Sequence, residues 1–464
     1  MSSDHIAQRD DVLWWIGLGL LSSYGVLLIF LWDWVPLVPL ALILAVLLFA
    51  FTIVHPPETL AVVLVLLGAA GLPLGARGID IGVRVYILDF VVGLLLASTV
   101  IGTAVNPARW KSQWFLRGAF VGLLLYLSVS LAHGLQAGND VRFALGEYRR
   151  MALYPTTLFV FAGCVHSRDH AEKLLRAIVI GAYVTAVIAV VRILSGVGYT
   201  APHLEGTTIR YLSYIEASTA GVGVIVAVGF ARVAVGRGRV VWWLVALPLF
   251  ASVLVSNYRT AWIGLGVGLM AAGMVLGFKR ALPALLKAAA VLVPLTYVIV
   301  VHTALGKAVL DRFDLVNLSS SGLWRYYSWR AAIDAWLPNP LLGTGLGYAH
   351  QFQFFSLEGG HFSVSTTGSI HNAPLRFLVN NGLVGLTIAA FFVVPWLRRA
   401  AHLARSSERN AAMVGTTALG SLALMITVSC FQPFFSTAAT VAIAMALVAI
   451  VLRAEPPTDT RMDR

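Results

Sequence analysis

The chain has 464 residues, of which 59% are hydrophobic and only 12% charged, with a formal net charge of +12 and a mean hydropathy of +0.83. A soluble domain with that ratio would expose large apolar patches, so a water-soluble enzyme or binding module is excluded. The basic excess does not point to nucleic acid, because no soluble segment interleaves basic and aromatic residues; it fits loops enriched in Lys and Arg on the cytoplasmic side of a membrane.

The apolar residues come in blocks of about 17 to 23, the length a helix needs to cross roughly 30 Å of hydrocarbon. Backbone polar groups in lipid must be satisfied within the segment, so such blocks are helices. The polar start, 1–11, carries no signal-type cleavage site, so the first span is expected to be retained. In chain order the spans are predicted at 12–32, 35–54, 58–74, 85–104, 115–134, 151–165, 174–194, 214–235, 240–256, 260–278, 282–304, 373–397, 410–430 and 433–452. The fold class is therefore all-α, a polytopic bundle of about 12–14 transmembrane helices.

With both termini inside, the clusters Arg109/Lys111/Arg117, Arg168/Lys173/Arg176, Arg232/Arg237/Arg239, Lys279/Arg280 and Arg398/Arg399/Arg405/Arg409 all fall on the inner side, as the positive-inside rule requires. The two cysteines, Cys164 and Cys430, then lie at opposite faces, and no disulfide is expected. This topology divides the chain into an N-terminal helical part (1–304), one long outer loop (305–372) and a C-terminal helical part (373–464). A loop of that length is usually functional. Within it, 321–337 places Tyr326, Trp329, Ile333 and Trp336 on one face at helical spacing, with Arg330 and Asp334 opposite, and Pro338 and Pro340 follow. An amphipathic helix at the membrane interface or on the bundle top is expected.

Several residues could carry chemistry. The run Gly343-Thr344-Gly345-Leu346-Gly347 follows no strand of a βαβ unit, so it is expected to form a tight turn and not a nucleotide cradle. His166 and His170 have ligand spacing but lie in a solvated inner loop, and no carboxylate cluster stands on the outer side; no metal is expected. Asp89, about one turn inside a span, would cost at least about 2.5 kcal/mol unpaired and should find an arginine such as Arg77, Arg84 or one at another outer helix end. Glu216 is open to the same two roles, structural or catalytic. Arg210 and Arg259 sit at the outer ends of adjacent helices, where two guanidinium forks suit a diphosphate or snorkel to lipid headgroups. His371, where the long loop enters a helix, is suited to take a proton near neutral pH.

The stretch Ile370-His371-Asn372 followed by Gly382-Leu383-Val384-Gly385-Leu386 resembles the signature of the O-antigen ligase and O-antigen polymerase superfamily. So does the run from Arg325 through Trp329 and Pro340 to Gly343, Gly345 and Gly347, and so does the Ser256 to Trp262 helix start. Together these cover about residues 205 to 435. The resemblance implies an enzyme of the bacterial inner membrane, active on the periplasmic side. It would move a glycan from undecaprenyl diphosphate to a lipid A–core or glycan acceptor, by inversion, without metal or cofactor. It implies His371 as the base, Arg210, Arg259 and Arg325 as diphosphate ligands, and Asn372 as a supporting residue. Where relatives often carry an acid, this chain has Asn380. The acceptor preference leans to ligase, with polymerase as the alternative; a transporter or flippase would instead show inverted repeats, and none is found in the sequence.

Overall fold

The computed structural model describes residues 114–165, 167–195, 212–256, 258–275, 315–356, 361–367, 370–432 and 438–453, with scattered residues between 63 and 99. The spans expected at 12–32, 35–54 and 282–304 lie outside the described residues, as do Arg210, Arg77 and both termini; of 58–74 only Val63 is described.

Among the described residues are eleven α-helices: α1 Trp114–Gln136, α2 Val141–Tyr148, α3 Thr157–Cys164, α4 Arg168–Ser195, α5 Tyr214–Val233, α6 Arg237–Val255, α7 Arg259–Val275, α8 Leu315–Trp336, α9 Ala373–Ala404, α10 Arg409–Ser429 and α11 Ala438–Arg453. Six of them (α1, α4, α5, α6, α9 and α10) are long and apolar enough to cross a membrane, and α7 and much of α11 are shorter apolar helices. The fold is a polytopic helical bundle. A continuous helical path links α2 to α3, passing through a π turn at Arg149–Leu153 and a 3-10 turn at Tyr154–Thr156, where Pro155 has no N–H to give.

The core is organised around α5, whose most apolar 18-residue stretch is 89% buried. It packs against α4, α6, α7 and α10. A helix buried on all sides needs small residues where neighbours cross it. Accordingly, a Cβ at Gly223 would lie 2.5 Å from the Ala182 Cβ, and one at Gly229 would lie 2.3 Å from the Thr417 hydroxyl. The peripheral helices α1 and α6 instead turn Leu125, Val129, Val240 and Leu244 outward, as lipid contact requires.

The two ends of the bundle carry different elements. At one end Arg168 of α4 pairs with Glu408, the N-cap of α10, and Arg399 and Arg453 donate to the carbonyls of Val451 (2.9 Å) and Ala162 (2.8 Å). The other end carries α2, α8, the start of α9 and the end of α10.

Two antiparallel hairpins add to the all-α expectation. One pairs β1 (Gly78–Asp80) with β2 (Arg84–Tyr86). The other lies in the long loop and pairs β3 (His350–Ser356) with β4 (His361–Thr367), from His350 opposite Thr367 to Ser356 opposite His361. The amphipathic helix is present as α8, and small residues form its line of closest contact with the protein. Ser328 and Ala332 are fully buried, whereas Tyr326 and Ile333 are exposed. The tryptophans Trp329 and Trp336 bind loop carbonyls, those of Ile370 (2.8 Å) and Pro340 (3.1 Å), because an indole N–H needs an acceptor when it packs against protein.

Candidate active site

The glycine run forms the floor of the loop end. Gly343, Gly345 and Gly347 have φ of 75°, 75° and 87°, the left-handed region that glycine enters without steric cost. Each backbone N–H in the run is already used. Gly343 donates to Asn339 O (2.8 Å), Thr344 to Val379 O (2.8 Å), Gly345 to Asn380 O (3.0 Å) and Leu346 to Ser130 O (3.2 Å). Gly347 donates to the Glu147 carboxylate at 2.7 Å. A phosphate cradle needs free N–H groups, so this run is a packing device.

Its partner is a break in α9. Gly382 has φ 61° and ψ −169° inside an otherwise continuous helix. The carbonyls freed there accept from the loop and from α1: Val379 and Asn380 as above, Asn381 from the Tyr126 hydroxyl at 2.6 Å. Beyond the break, Leu383 and Val384 donate to the carbonyls of Pro340 (3.0 Å) and Leu341 (3.1 Å). A Cβ at Gly382 would stand 2.1 Å from Leu341 O. The glycines of the two sequence motifs thus meet each other.

Glu147 of α2 ties this floor together. It is buried, and its Oε1 accepts from Arg376 Nε at 2.8 Å. Its Oε2 accepts from Gly347 N and from the Asn380 amide (2.9 Å), while Arg376 also donates to Tyr348 O (2.6 Å). The Asn380 side chain, fully buried, is therefore a structural donor. Asn380 was noted from sequence only as standing where relatives often carry an acid, and Glu147 and Arg376 were not singled out; the usable signal was a lone acid in the outer stretch Glu147-Tyr148-Arg149-Arg150.

His371 rises from this floor. It is the one non-glycine residue with positive φ (48°) among the described residues, a conformation that a histidine keeps only where its surroundings hold it. The residues on either side are pinned. Ile370 accepts the Trp329 indole N–H, and the Asn372 side chain caps α9 by accepting from Leu375 N at 3.0 Å. The imidazole meets the Trp324 ring edge-on at 5.1 Å and hydrogen-bonds Gln432, just past the end of α10. Burial and then the Arg325 charge hold its pKa below the usual histidine range, against the opposing Gln432 bond, so the ring is neutral at ordinary pH. The structure therefore brings together His371, Arg325 and Asn372.

Arg259 stands half-buried at the first position of α7. The turn before it is stitched by the Ser256 hydroxyl and the Trp262 indole, which both donate to Val253 O (2.6 and 2.8 Å). Tyr258 packs edge-on against Tyr214, the first residue of α5, with ring centres 6.1 Å apart, so the starts of α5 and α7 are neighbours. Arg210 precedes α5 in sequence.

The two intramembrane acids have structural partners. Asp89 binds Arg149 Nη1 at 2.9 Å and accepts from the Tyr154 hydroxyl at 2.7 Å, so an arginine of the π turn pairs with it. Glu216 forms a capping box with Ser213 and pairs with Arg192 at 3.0 Å. Among the described residues no three His, Cys, Asp or Glu side chains group as a metal site.

No curated protein matches the chain. The family model described as O-antigen ligase matches residues 244–390, a segment that includes Arg259, Arg325, the glycine run, His371 and the Gly382 break. Over that segment, about a third of its length, the chain is similar to the O-antigen ligase family.

Proposed function

We propose that the loop end of the bundle transfers a glycan from undecaprenyl diphosphate to an acceptor hydroxyl at the periplasmic face of the bacterial inner membrane, with a lean to lipid A–core as acceptor. The observation that carries this reading is the His371 imidazole, set on a left-handed backbone within the ligase-like segment, with burial and the Arg325 charge lowering its pKa.

The acceptor O–H attacks the anomeric carbon, the C–O bond to the diphosphate breaks, and the diphosphate leaves with the electron pair. His371 takes the acceptor proton. Arg259, Arg325 and Arg210 neutralise the charge that develops on the leaving group, and a single displacement inverts the anomeric configuration. These arginines supply the electrophilic role that a divalent cation often plays, so no metal is required.

The transporter alternative loses support at the break in α9. A transport site uses the freed backbone groups of a broken helix to hold its substrate, but here Val379, Asn380, Asn381, Leu383 and Val384 already bind protein groups.

The test is transfer by purified protein from a synthetic undecaprenyl-diphosphate glycan, offered lipid A–core or a second lipid-linked glycan. Product on lipid A–core is expected; product only on the lipid-linked glycan would mark a polymerase, and neither product would contradict the reading.

A further inference from the structure

Gln432 is a buried amide at the end of a membrane helix, and its place there needs an explanation. Its backbone N–H continues the last turn of α10 by donating to Val428 O at 2.9 Å. The preceding Phe431 lies 6.4 Å, ring centre to ring centre, from Trp329, the residue that pins Ile370. The end of α10 is therefore held against the segment from which His371 projects, and the Gln432 side chain reaches the imidazole. Trp324 closes the ring from the α8 side. A non-glycine residue in the left-handed region fixes where the imidazole starts, but the torsions beyond Cβ remain to be set.

We infer that Gln432 is a positioning residue for His371: its amide oxygen accepts one imidazole N–H and so holds the ring in the tautomer whose second nitrogen takes the acceptor proton. An amide carbonyl fits this role in both states of the base. It accepts from the neutral ring and still accepts once the ring is a cation that donates from both nitrogens. The opposite amide orientation, N–H₂ toward the ring, would occupy the lone pair that a base needs. Arg325 on α8 is the charged group that acts on the imidazole, with the opposite effect on its proton affinity.

This inference rests on His371 being the base, and the experiment separates the two. Rate against pH is measured for the purified full chain with a synthetic undecaprenyl-diphosphate glycan donor. Activity needs the neutral ring, so kcat rises with pH through the imidazole pKa. Gln432→Leu removes an interaction that favours the cation; kcat should fall about tenfold, with the acidic limb displaced to lower pH and donor KM unchanged. Gln432→Glu keeps the size and an acceptor oxygen and adds negative charge; its limb should move to higher pH, with most of the plateau rate retained. Wild-type kcat in Gln432→Leu, or limbs unmoved in both variants, would overturn the role. His371→Ala in the same assay distinguishes the failures. Full transfer there removes the base, and Gln432's role with it. Lost transfer there, with unmoved Gln432 profiles, removes Gln432 alone.

Discussion

Glu147 and Arg376 form a buried ion pair at 2.8 Å that joins the start of α9 to α2, and the same carboxylate fastens the last glycine of the loop through Gly347 N. Burial of two charges is tolerable here because hydrogen bonds fill the remaining oxygen sites: Asn380 and Gly347 on the carboxylate, Tyr348 O on the guanidinium. The pair fixes geometry more than it adds stability, since apolar residues of similar volume often do as well energetically.

Removing one partner is a different matter. Glu147→Ala leaves Arg376 buried without its counter-charge and should cost about 3–5 kcal/mol. The double variant Glu147→Leu with Arg376→Met should recover much of that loss. Thermal unfolding in one detergent checks both; a single variant with wild-type Tm would mean that the pair is dispensable.

Glycine substitutions should divide sharply. Gly382→Ala places a Cβ 2.1 Å from Leu341 O in a left-handed conformation, and Gly347→Ala places one 2.6 Å from the Ala144 Cβ. Both should abolish a stable loop end. Gly322→Ala in α8 meets nothing within 4 Å and should stabilise the helix by roughly 0.5–1 kcal/mol. Protease resistance of the long loop and Tm report all three; equal behaviour would contradict the knitted floor.

The helices were largely legible in the sequence. Spans expected from 115–134 to 433–452 coincide with α1, α3 to α7 and α9 to α11 wherever they are described, with ends differing by up to about seven residues, because hydropathy and length decide a lipid-buried helix. The finer features were not. The break at Gly382 disappears in an apolar window, since nothing local shows that Leu341 will press on it. The β3–β4 hairpin did have a signal. Phe352 is buried between exposed Gln351 and Gln353, but β4 inverts the pattern, with Phe362 and Val364 outward, so hydrophobic alternation across the pair does not agree. The protein-facing line of α8 was not legible, because Ser328 and Ala332 are small residues that allow close approach and give no strong signal in an aromatic-rich helix. His371 was singled out by motif, whereas Gln432 and Glu147 meet their neighbours through contacts far apart in sequence.

The arginines offer a test of diphosphate binding against lipid snorkelling. Lysine keeps the charge and loses the planar fork, so Arg259→Lys and Arg210→Lys should each lower donor affinity or turnover roughly tenfold to more than a hundredfold, the worth of one charge-assisted contact of about 1.5–3 kcal/mol. If they only snorkel, lysine serves as well. Wild-type donor binding and turnover for both variants would remove the clamp.

Chelation should leave the reaction intact, because the proposed mechanism assigns the charge at the leaving diphosphate to guanidinium groups. Transfer measured with EDTA should match that without it. Loss restored specifically by magnesium or manganese would require a metal in the mechanism.

The central claim is that His371 takes the acceptor proton, and the direct measurement is glycan transfer by purified His371→Ala in vitro. The variant should be folded and membrane-inserted, with a Tm near wild type, because the floor beneath it is held by Glu147, Arg376 and the glycine run. Its transfer rate should fall at least about a hundredfold, the usual worth of a general base. A folded His371→Ala protein that transfers glycan at the wild-type rate would contradict the account.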